Sequence, residues 1–167
     1  MCKKVIFNFL FVCLSFAIIG CASNKQQPVQ QKKEVKKEVR DEKIVDAIAE
    51  FNKFAKENPI YFEFDSAEVN EKDVAKLYKK QLKQLDEMND KVKLSVNGYC
   101  DPRGSVEYNN VLGRKRANAV SEIAKKFAGN KVNVNVVSFG KSKYKEYTSN
   151  EEDNYRMNRK VEVVASK

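Results

Sequence analysis

Residues 92–140 are VKLSVNGYCDPRGSVEYNNVLGRKRANAVSEIAKKFAGNKVNVNVVSFG, and this stretch decides the fold. It begins with an alternating apolar run, which is typical of a strand with one buried face. The loop YCDPRG follows, and Ser105 is predicted to cap a long helix that reaches Phe127 and stops at Gly129. A second alternating run begins at Val132. The stretch therefore predicts a strand, a helix and a strand in succession.

The segment before this stretch adds another strand and another helix. The string IYFEF, which begins at Ile60, predicts a short strand with Phe62 and Phe64 on one face. Asp65 and the serine after it form a turn and helix-cap signal. Apolar residues at helical spacing then predict a helix from residue 70 to residue 88.

The segment after it completes the fold. Residues 141–158 are polar and predict a short acidic helix or a loop, and RKVEVV from Arg159 predicts the last strand. The order βαβαβ–loop–β predicts an α+β fold, in which a layer of helices covers a sheet, within one domain at residues 59–167. The strand residues expected to face the core are Val92, Leu94, Val96, Val132, Val134, Val136, Val161 and Val163.

Two further segments precede the domain. Residues 44–58 predict an amphipathic helix that Pro59 ends, either packed on the domain or free to bind a partner. Its apolar positions are Ile44, Ile48, Phe51 and Ala55. Residues 21–43 are rich in Gln, Lys and Glu and predict a disordered, solvated tether, although the alternation of Lys and Glu also allows a fraying helix.

The N-terminus has the pattern of an export signal. Lys3 and Lys4 precede an apolar run over residues 5–19, which is short for a membrane-spanning helix. The run ends in Ile-Ile-Gly-Cys at Cys21, which resembles the bacterial lipobox. The resemblance implies that residues 1–20 are a signal peptide and that Cys21 carries acyl chains, which anchor a protein stably when two or more are present. The alternative is an uncleaved membrane anchor with an incidental cysteine.

The cysteine and histidine content of the chain excludes several functions. If the signal is removed and Cys21 is acylated, Cys100 is left alone and no internal disulfide can form. The chain has no histidine, which excludes Ser-His-Asp and Cys-His catalysis and the usual zinc sites. We therefore expect no enzyme, cofactor or metal, with a carboxylate-pair wall hydrolase as a weak alternative.

The formal charge of +9 is spread along the chain rather than concentrated. Residues 22–43 have a net charge of +3, and residues 44–167 have a net charge of +4. No clustered basic stripe is evident in the sequence, and nucleic-acid binding is not expected.

Four strings resemble the OmpA-like peptidoglycan-binding domain family, in particular its branch of peptidoglycan-associated lipoproteins. They are IYFEFDSAEV, NGYCDPRGSVEYNNVLGRKRANAV, VSFGKSK and NYRMNRKVEVV, within residues 60–165. The resemblance implies a mixed four-stranded sheet with helices on one face. It also implies binding of the diaminopimelate residue of the peptidoglycan stem peptide, and docking with the periplasmic Tol proteins.

Asp101 and Arg116 are the principal candidate site residues. Diaminopimelate has an ammonium and a carboxylate on one carbon, so its site needs an acid and a base a few ångströms apart. Asp101 follows the strand, and Arg116 lies 15 residues further along, on the next helix, where it offers a planar fork to a carboxylate. The matching positions of the family have these roles. The alternative is that Asp101 only caps the helix and Arg116 is a solvated residue.

The resemblance suggests four more residues. Asp65 either lines the ligand groove or caps a helix, and Arg103 contacts either ligand or solvent. Asn109 is expected to brace the loop, and Arg159 either supports Asp101 through an ion pair or lies on the surface.

Two locations fit the resemblance. The first is the outer membrane, with a lipid anchor on Cys21 and the domain in the periplasm. Ala22-Ser23 after the cysteine lacks the aspartate associated with inner-membrane retention in some bacteria. The second is an anchored stator or envelope scaffold, in which a similar domain follows a true transmembrane helix.

Overall fold

The computed structural model describes residues 27–88, 92–129 and 132–167, with side chains from residue 36 onward. The predicted signal at residues 1–20 and Cys21 lie outside the described residues. The elements in chain order are α1 (Gln27–Glu57), β1 (Ile60–Tyr61), α2 (Glu71–Glu87), β2 (Val92–Tyr99), α3 (Val106–Ala128), β3 (Val132–Gly140), α4 (Glu151–Asn158) and β4 (Lys160–Ser166).

The four strands form one mixed sheet in the order β1-β4-β2-β3. β2 and β3 are parallel, as the helix between them requires, and β4 is antiparallel to both β2 and β1. The α+β fold and the mixed four-stranded sheet are therefore as predicted. The last strand of the chain lies between β1 and β2, and this brings the residues before β4 close to the loop after β2.

The core lies between this sheet and helices α1, α2 and α3. Val92, Leu94 and Val96 of β2 are completely buried, in agreement with the alternation in the sequence. The alternate positions Lys93, Ser95 and Asn97 lie on the other face and are half-buried or exposed. Further core residues are Phe51, Ala55, Phe62, Val74, Tyr78, Leu82, Leu85, Ala117, Val120, Ile123, Val161 and Val163.

The helices begin and end where their capping residues lie. Asn70 caps α2 by accepting a hydrogen bond from the backbone of Lys72, so Asp65 and Ser66 do not cap this helix. Ser105 caps α3 by accepting from the backbone of Tyr108, as predicted. Gly129 ends α3 with a φ of 61°, a conformation that glycine adopts without strain.

The first strand is shorter than predicted, and its two phenylalanines do not share a face. β1 ends at Tyr61, and Phe62 is buried while Phe64 is 60% exposed. The backbone N–H of Phe62 donates to Arg159, after which the chain turns through Asp65 at a φ of 54°. This turn rotates Phe64 out of the core and toward Arg103, whose guanidinium carbon lies 4.2 Å from its ring centroid.

The first helix is longer than predicted. α1 begins at Gln27, so the described part of the expected disordered tether is helical. Residues 27–43 contain good helix formers and no glycine, and Pro28 lies in the first turn, where proline is tolerated. Residues 36–40 are exposed, and Ile44 is the first residue of α1 that belongs to the core. No helix in the described ranges is long and apolar enough to cross a membrane.

The lysines of α2 form a clustered basic stripe, which the sequence pattern did not indicate. The helix has five lysines and four acidic residues, and it therefore looks nearly neutral in the sequence. The acidic residues lie in its first three and last two positions, while helical periodicity brings the lysines to one face.

Candidate functional site

A short loop after β2 positions Asp101. The backbone N–H of Cys100 donates to Gly140 of β3, which fixes the start of the loop. Gly104 has a φ of 81°, which the tight turn back into α3 requires. The Asn109 amide donates to the carbonyls of Arg103 and Ser105 at 2.7 and 2.9 Å and thus braces the loop from inside.

Lys141 holds the same loop from β3. Its ammonium donates to the carbonyls of Pro102 and Gly104 at 3.2 and 2.6 Å. The loop that carries Asp101 is thus held both from α3, by Asn109, and from the residue after β3, by Lys141. Lys141 was in one of the quoted strings, yet nothing in its sequence context identified this role.

The carboxylate of Asp101 is buried among arginines and is only 5% exposed. Arg103 donates to it through its backbone N–H and through Nε and Nη2, the last at 2.7 Å. Arg159 donates to Oδ2 at 3.4 Å. Burial by itself raises the pKa of Asp101, but these hydrogen bonds outweigh it and keep the pKa below its usual range. Asp101 is therefore ionised at neutral pH.

A closed ring of ion pairs surrounds this carboxylate. Glu152 of α4 contacts Arg103 at 3.7 Å and Arg159 at 3.4 Å, and both arginines contact Asp101. The two acids and two arginines neutralise one another. The sequence indicated a supporting ion pair from Arg159 but did not identify Glu152, which is one of several acidic residues in a polar stretch.

Two aromatic rings flank Arg103. Its guanidinium carbon lies 4.2 Å from the Phe64 centroid and 4.5 Å from the Tyr155 centroid. Such cation–π contacts orient an arginine without burying it, and the Arg103 side chain is 37% exposed. Neither aromatic contact could be derived from the sequence, because Tyr155 comes from α4 and Phe64 was expected on the same strand face as Phe62.

Arg116 is fully buried and anchored by backbone carbonyls. Its guanidinium donates to Ser66 at 2.7 Å, to Glu63 at 3.0 Å and to Tyr99 at 3.1 Å. It also contacts the sulfur of Cys100 at 3.6 Å. Burial lowers the pKa of Arg116, but arginine keeps its proton at any physiological pH. These four contacts leave one of its five N–H groups without an acceptor among the described residues.

Asp101 and Arg116 line one cavity of about 180 Å³. They share no hydrogen bond in the described part of the chain, so each presents its charge to the cavity separately. The remaining lining residues are Phe64, Asp65, Cys100, Arg103, Gly104, Tyr108, Asn109 and Leu112. The structure thus brings all the predicted site residues to one place, with Arg159 behind Asp101.

Asp65 and Cys100 complete the walls of the cavity. Asp65 accepts a short hydrogen bond from the Tyr108 hydroxyl, which raises the pKa of Tyr108. The Cys100 thiol donates to the Asn109 carbonyl at 3.4 Å, and burial raises its pKa, so it stays protonated. No group of three potential metal ligands occurs in the described ranges. The cavity offers a fixed anion beside a fixed cation, an arrangement that suits a zwitterionic group.

Comparisons with known proteins agree on one family. A profile of the OmpA family matches residues 61–158, which is more than half of the chain. The peptidoglycan-associated lipoprotein of Buchnera aphidicola is 32% identical over 115 residues, which are 67% of this chain and 63% of the relative. That of Pseudomonas aeruginosa is 30% identical over 105 residues, or 62% of this chain and 59% of the relative. The chain thus spans less than two thirds of these curated relatives.

Solved structures show the same fold. The peptidoglycan-associated lipoprotein of Burkholderia pseudomallei is 29% identical and has a TM-score of 0.52, with 65% of this chain and 89% of that chain covered. The C-terminal domain of Helicobacter pylori MotB has a TM-score of 0.51 at 21% identity, with 66% and 84% covered. The second likeness concerns the fold alone.

Proposed function

The chain belongs to the OmpA family, and from this we propose that it is a lipid-anchored protein of the bacterial outer membrane whose domain binds peptidoglycan non-covalently. The observation that carries the proposal is the cavity in which buried Asp101 and buried Arg116 present opposite charges. The relatives named peptidoglycan-associated lipoprotein support the choice of polymer. The function is binding rather than catalysis.

The ligand we propose is the diaminopimelate residue of the stem peptide. Its carboxylate accepts from the remaining N–H of Arg116, since a charge-assisted bond to a buried arginine is strong and directional. Its ammonium binds Asp101. Asp65, which also lines the cavity, adds a second anion to it.

Arg103 has to move for this ligand to bind. A carboxylate accepts about four hydrogen bonds, and three from Arg103 and one from Arg159 already occupy Asp101. Arg159 is buried, whereas the side chain of Arg103 is 37% exposed and can rotate into solvent. The ammonium therefore replaces the Arg103 guanidinium, which is then free to contact the stem peptide itself.

The remainder of the chain supplies the anchor. We propose that Cys21 carries the acyl chains and that residues 22–43 separate the domain from the membrane. The helical residues 27–43 would extend about 25 Å at 1.5 Å per residue. In this arrangement the domain connects the outer membrane to the wall and is available to the periplasmic Tol proteins in envelope integrity and cell division.

An anchored stator or scaffold is the second candidate, favoured only by the likeness in fold to MotB. The mature mass separates the two. A chain that begins at Cys21 and carries acyl groups supports the lipoprotein, and an intact N-terminus supports the scaffold.

The site is tested by binding to purified peptidoglycan sacculi. We expect Asp101→Asn and Arg116→Lys to weaken binding by about 10- to 150-fold, because each loses a charge-assisted contact of about 1.5–3 kcal/mol. These conservative variants are chosen because truncation of Arg116 would leave the backbone carbonyls of Glu63, Ser66 and Tyr99 without their donor.

Two matched controls make the result specific. The controls are Arg114→Lys and Asp46→Asn. Arg114 is exposed on α3, the helix that also carries Arg116, and Asp46 is exposed on α1. Both controls should bind sacculi like the parent chain. Equal binding by folded parent and site variants would refute the Asp101–Arg116 site, and no binding by the folded parent would refute the function.

A further inference from the structure

Five lysines occupy one face of α2 and are here called the lysine stripe. They are Lys72, Lys76, Lys79, Lys80 and Lys83. All five are exposed. The spacings i, i+4, i+7, i+8 and i+11 place them within one side of the helix, over about 16 Å of its length.

The acidic residues of α2 flank the lysine stripe, with Glu71 and Asp73 at its start and Asp86 and Glu87 after Lys83. None of its members forms a salt bridge within the described residues, and Glu71, at the start of the helix, is paired with Lys126 of α3 at 2.7 Å. The stripe contains three like-charge pairs at i,i+4, which destabilise a helix. An external polyanion would remove this repulsion, so the stripe is electrostatically complementary to one.

The shape of the surface indicates an extended partner rather than a small molecule. The lysines border a broad, shallow depression of about 660 Å³ whose floor includes Ala75 and Phe127. Lys79 lies 5.6 Å from the Phe127 ring centroid. The residues that line the depression are five lysines, an alanine and a phenylalanine, and none of them has a carboxylate or hydroxyl that would orient one small ligand. The depression therefore suits a polymer with repeated anionic groups.

The stripe follows, a few residues later in the chain, the segment whose Phe64 and Asp65 line the cavity. Arg116 donates to Glu63 and Ser66, and α2 begins five residues after Ser66. Lys72 lies six positions after Ser66, which keeps their backbones within about 20 Å of each other. A polymer held in the cavity by one residue therefore has neighbouring units within reach of α2.

We propose that the lysine stripe is a second contact surface for peptidoglycan, which binds carboxylates of stem peptides adjacent to the one held in the cavity. This inference rests on the proposed function. The wall is favoured over an anionic bilayer because the cavity already places the wall polymer beside α2. Each exposed lysine contributes little alone, so the stripe acts through several weak contacts with a repeated array.

The experiment compares a stripe variant with a matched control in the unacylated chain from residue 22, which contains every described core residue. The stripe variant replaces Lys76, Lys79, Lys80 and Lys83 with glutamine, whose helix propensity is similar. The control replaces four exposed lysines of α1, Lys36, Lys37, Lys53 and Lys56, with glutamine. Circular dichroism establishes that both are folded.

Two ligands separate the stripe from the cavity. With sacculi at 50 mM salt, the stripe variant should bind about tenfold more weakly than the parent, and the α1 control should bind like the parent. With a soluble monomeric stem peptide, all three chains should bind equally. At about 1 M salt the difference on sacculi should vanish, because the screening length falls to about 3 Å.

The other possible outcomes test the stripe proposal and the cavity assignment separately. Equal binding of sacculi by parent and stripe variant, or an equal loss in the α1 control, overturns the proposal. So does a loss seen only with vesicles that contain phosphatidylglycerol, which would assign the stripe to a bilayer. If no chain binds the stem peptide but sacculus binding still depends on the stripe, the cavity assignment fails and the stripe stands.

Discussion

Arg103 and Arg116 both lie beside Asp101, yet burial gives them different roles. Arg116 is buried in the wall of the cavity and bonded to three backbone carbonyls, so it holds its position with or without a ligand. Arg103 is partly exposed and stacked between two rings, which makes it the group that can leave. Buried Arg159 and displaceable Arg103 together keep Asp101 compensated before the ligand arrives.

The low pKa of Asp101 predicts how stability depends on pH. A carboxyl whose folded pKa is depressed contributes stability above its unfolded pKa, near 3.9, and loses it as the pH falls through the folded value. Asp101→Asn should therefore cost about 1.5–3 kcal/mol of unfolding free energy at pH 7, and this difference should shrink below pH 4. Urea unfolding of both chains from pH 7 to pH 2 measures it.

Asp153 provides the comparison for this prediction. It pairs with Arg156 at 3.7 Å on the exposed side of α4, with 51% of its side chain accessible. Asp153→Asn should change the unfolding free energy by less than about 1 kcal/mol. A cost for Asp101→Asn as small as this would contradict a stabilising role of the buried ion-pair ring.

At the scale of elements, one amide adds hydrogen bonds to the apolar packing of α1 on the sheet. Asn52 donates to the carbonyl of Ala165 at 2.9 Å and accepts from its N–H at 2.7 Å. β1 pairs only with the first two residues of β4, so the rest of that strand edge has no partner strand. Asn52 thus makes the hydrogen bonds to Ala165 that a strand neighbour would make if β1 were longer.

Asn52→Ala should destabilise the domain by about 1–3 kcal/mol, because the substitution removes both hydrogen bonds from a half-buried strand edge. Chemical denaturation measures the change. Asn118→Ala is the control, since Asn118 is exposed on α3, and it should have an effect near zero. If Asn52→Ala were also neutral, packing by Phe51 and Ala55 alone would hold α1 on the sheet.

At the scale of the whole molecule, the described core begins at Ile44. An ion pair between Asp41 and Lys167 at 2.6 Å connects the preceding part of α1 to the domain. Both partners are about half exposed, and such pairs contribute at most about 1 kcal/mol. We propose that residues 27–43 act as a spacer even though they are helical.

The unfolding free energy of a chain that begins at residue 44 should lie within about 1 kcal/mol of that of a chain that begins at residue 22. A chain that begins at residue 59 lacks three buried residues, Ile44, Phe51 and Ala55, and should lose several kcal/mol. Urea unfolding of the three chains provides the measurement. A large loss on removal of residues 22–43 alone would show that the spacer is part of the folded domain.

The sequence by itself determined the element order, the core face of the strands and the family. Period-two and helical spacing reflect local geometry, and the motifs around Asp101 and Arg116 are contiguous strings. These features need no knowledge of which elements meet in space. The caps at Ser105 and Gly129 were predictable for the same reason.

Only the tertiary structure decided which residues surround Asp101. Glu152 and Tyr155 lie 51 and 54 positions away in the chain, and they come close to Asp101 and Arg103 because β4, which follows them, inserts between β1 and β2. Lys141 lies 40 positions away and reaches the Asp101 loop because β3, which it follows, pairs with β2. The contact between exposed Phe64 and Arg103 joins residues 39 positions apart in the chain. Sequence patterns report local spacing, whereas these features depend on contacts between distant segments.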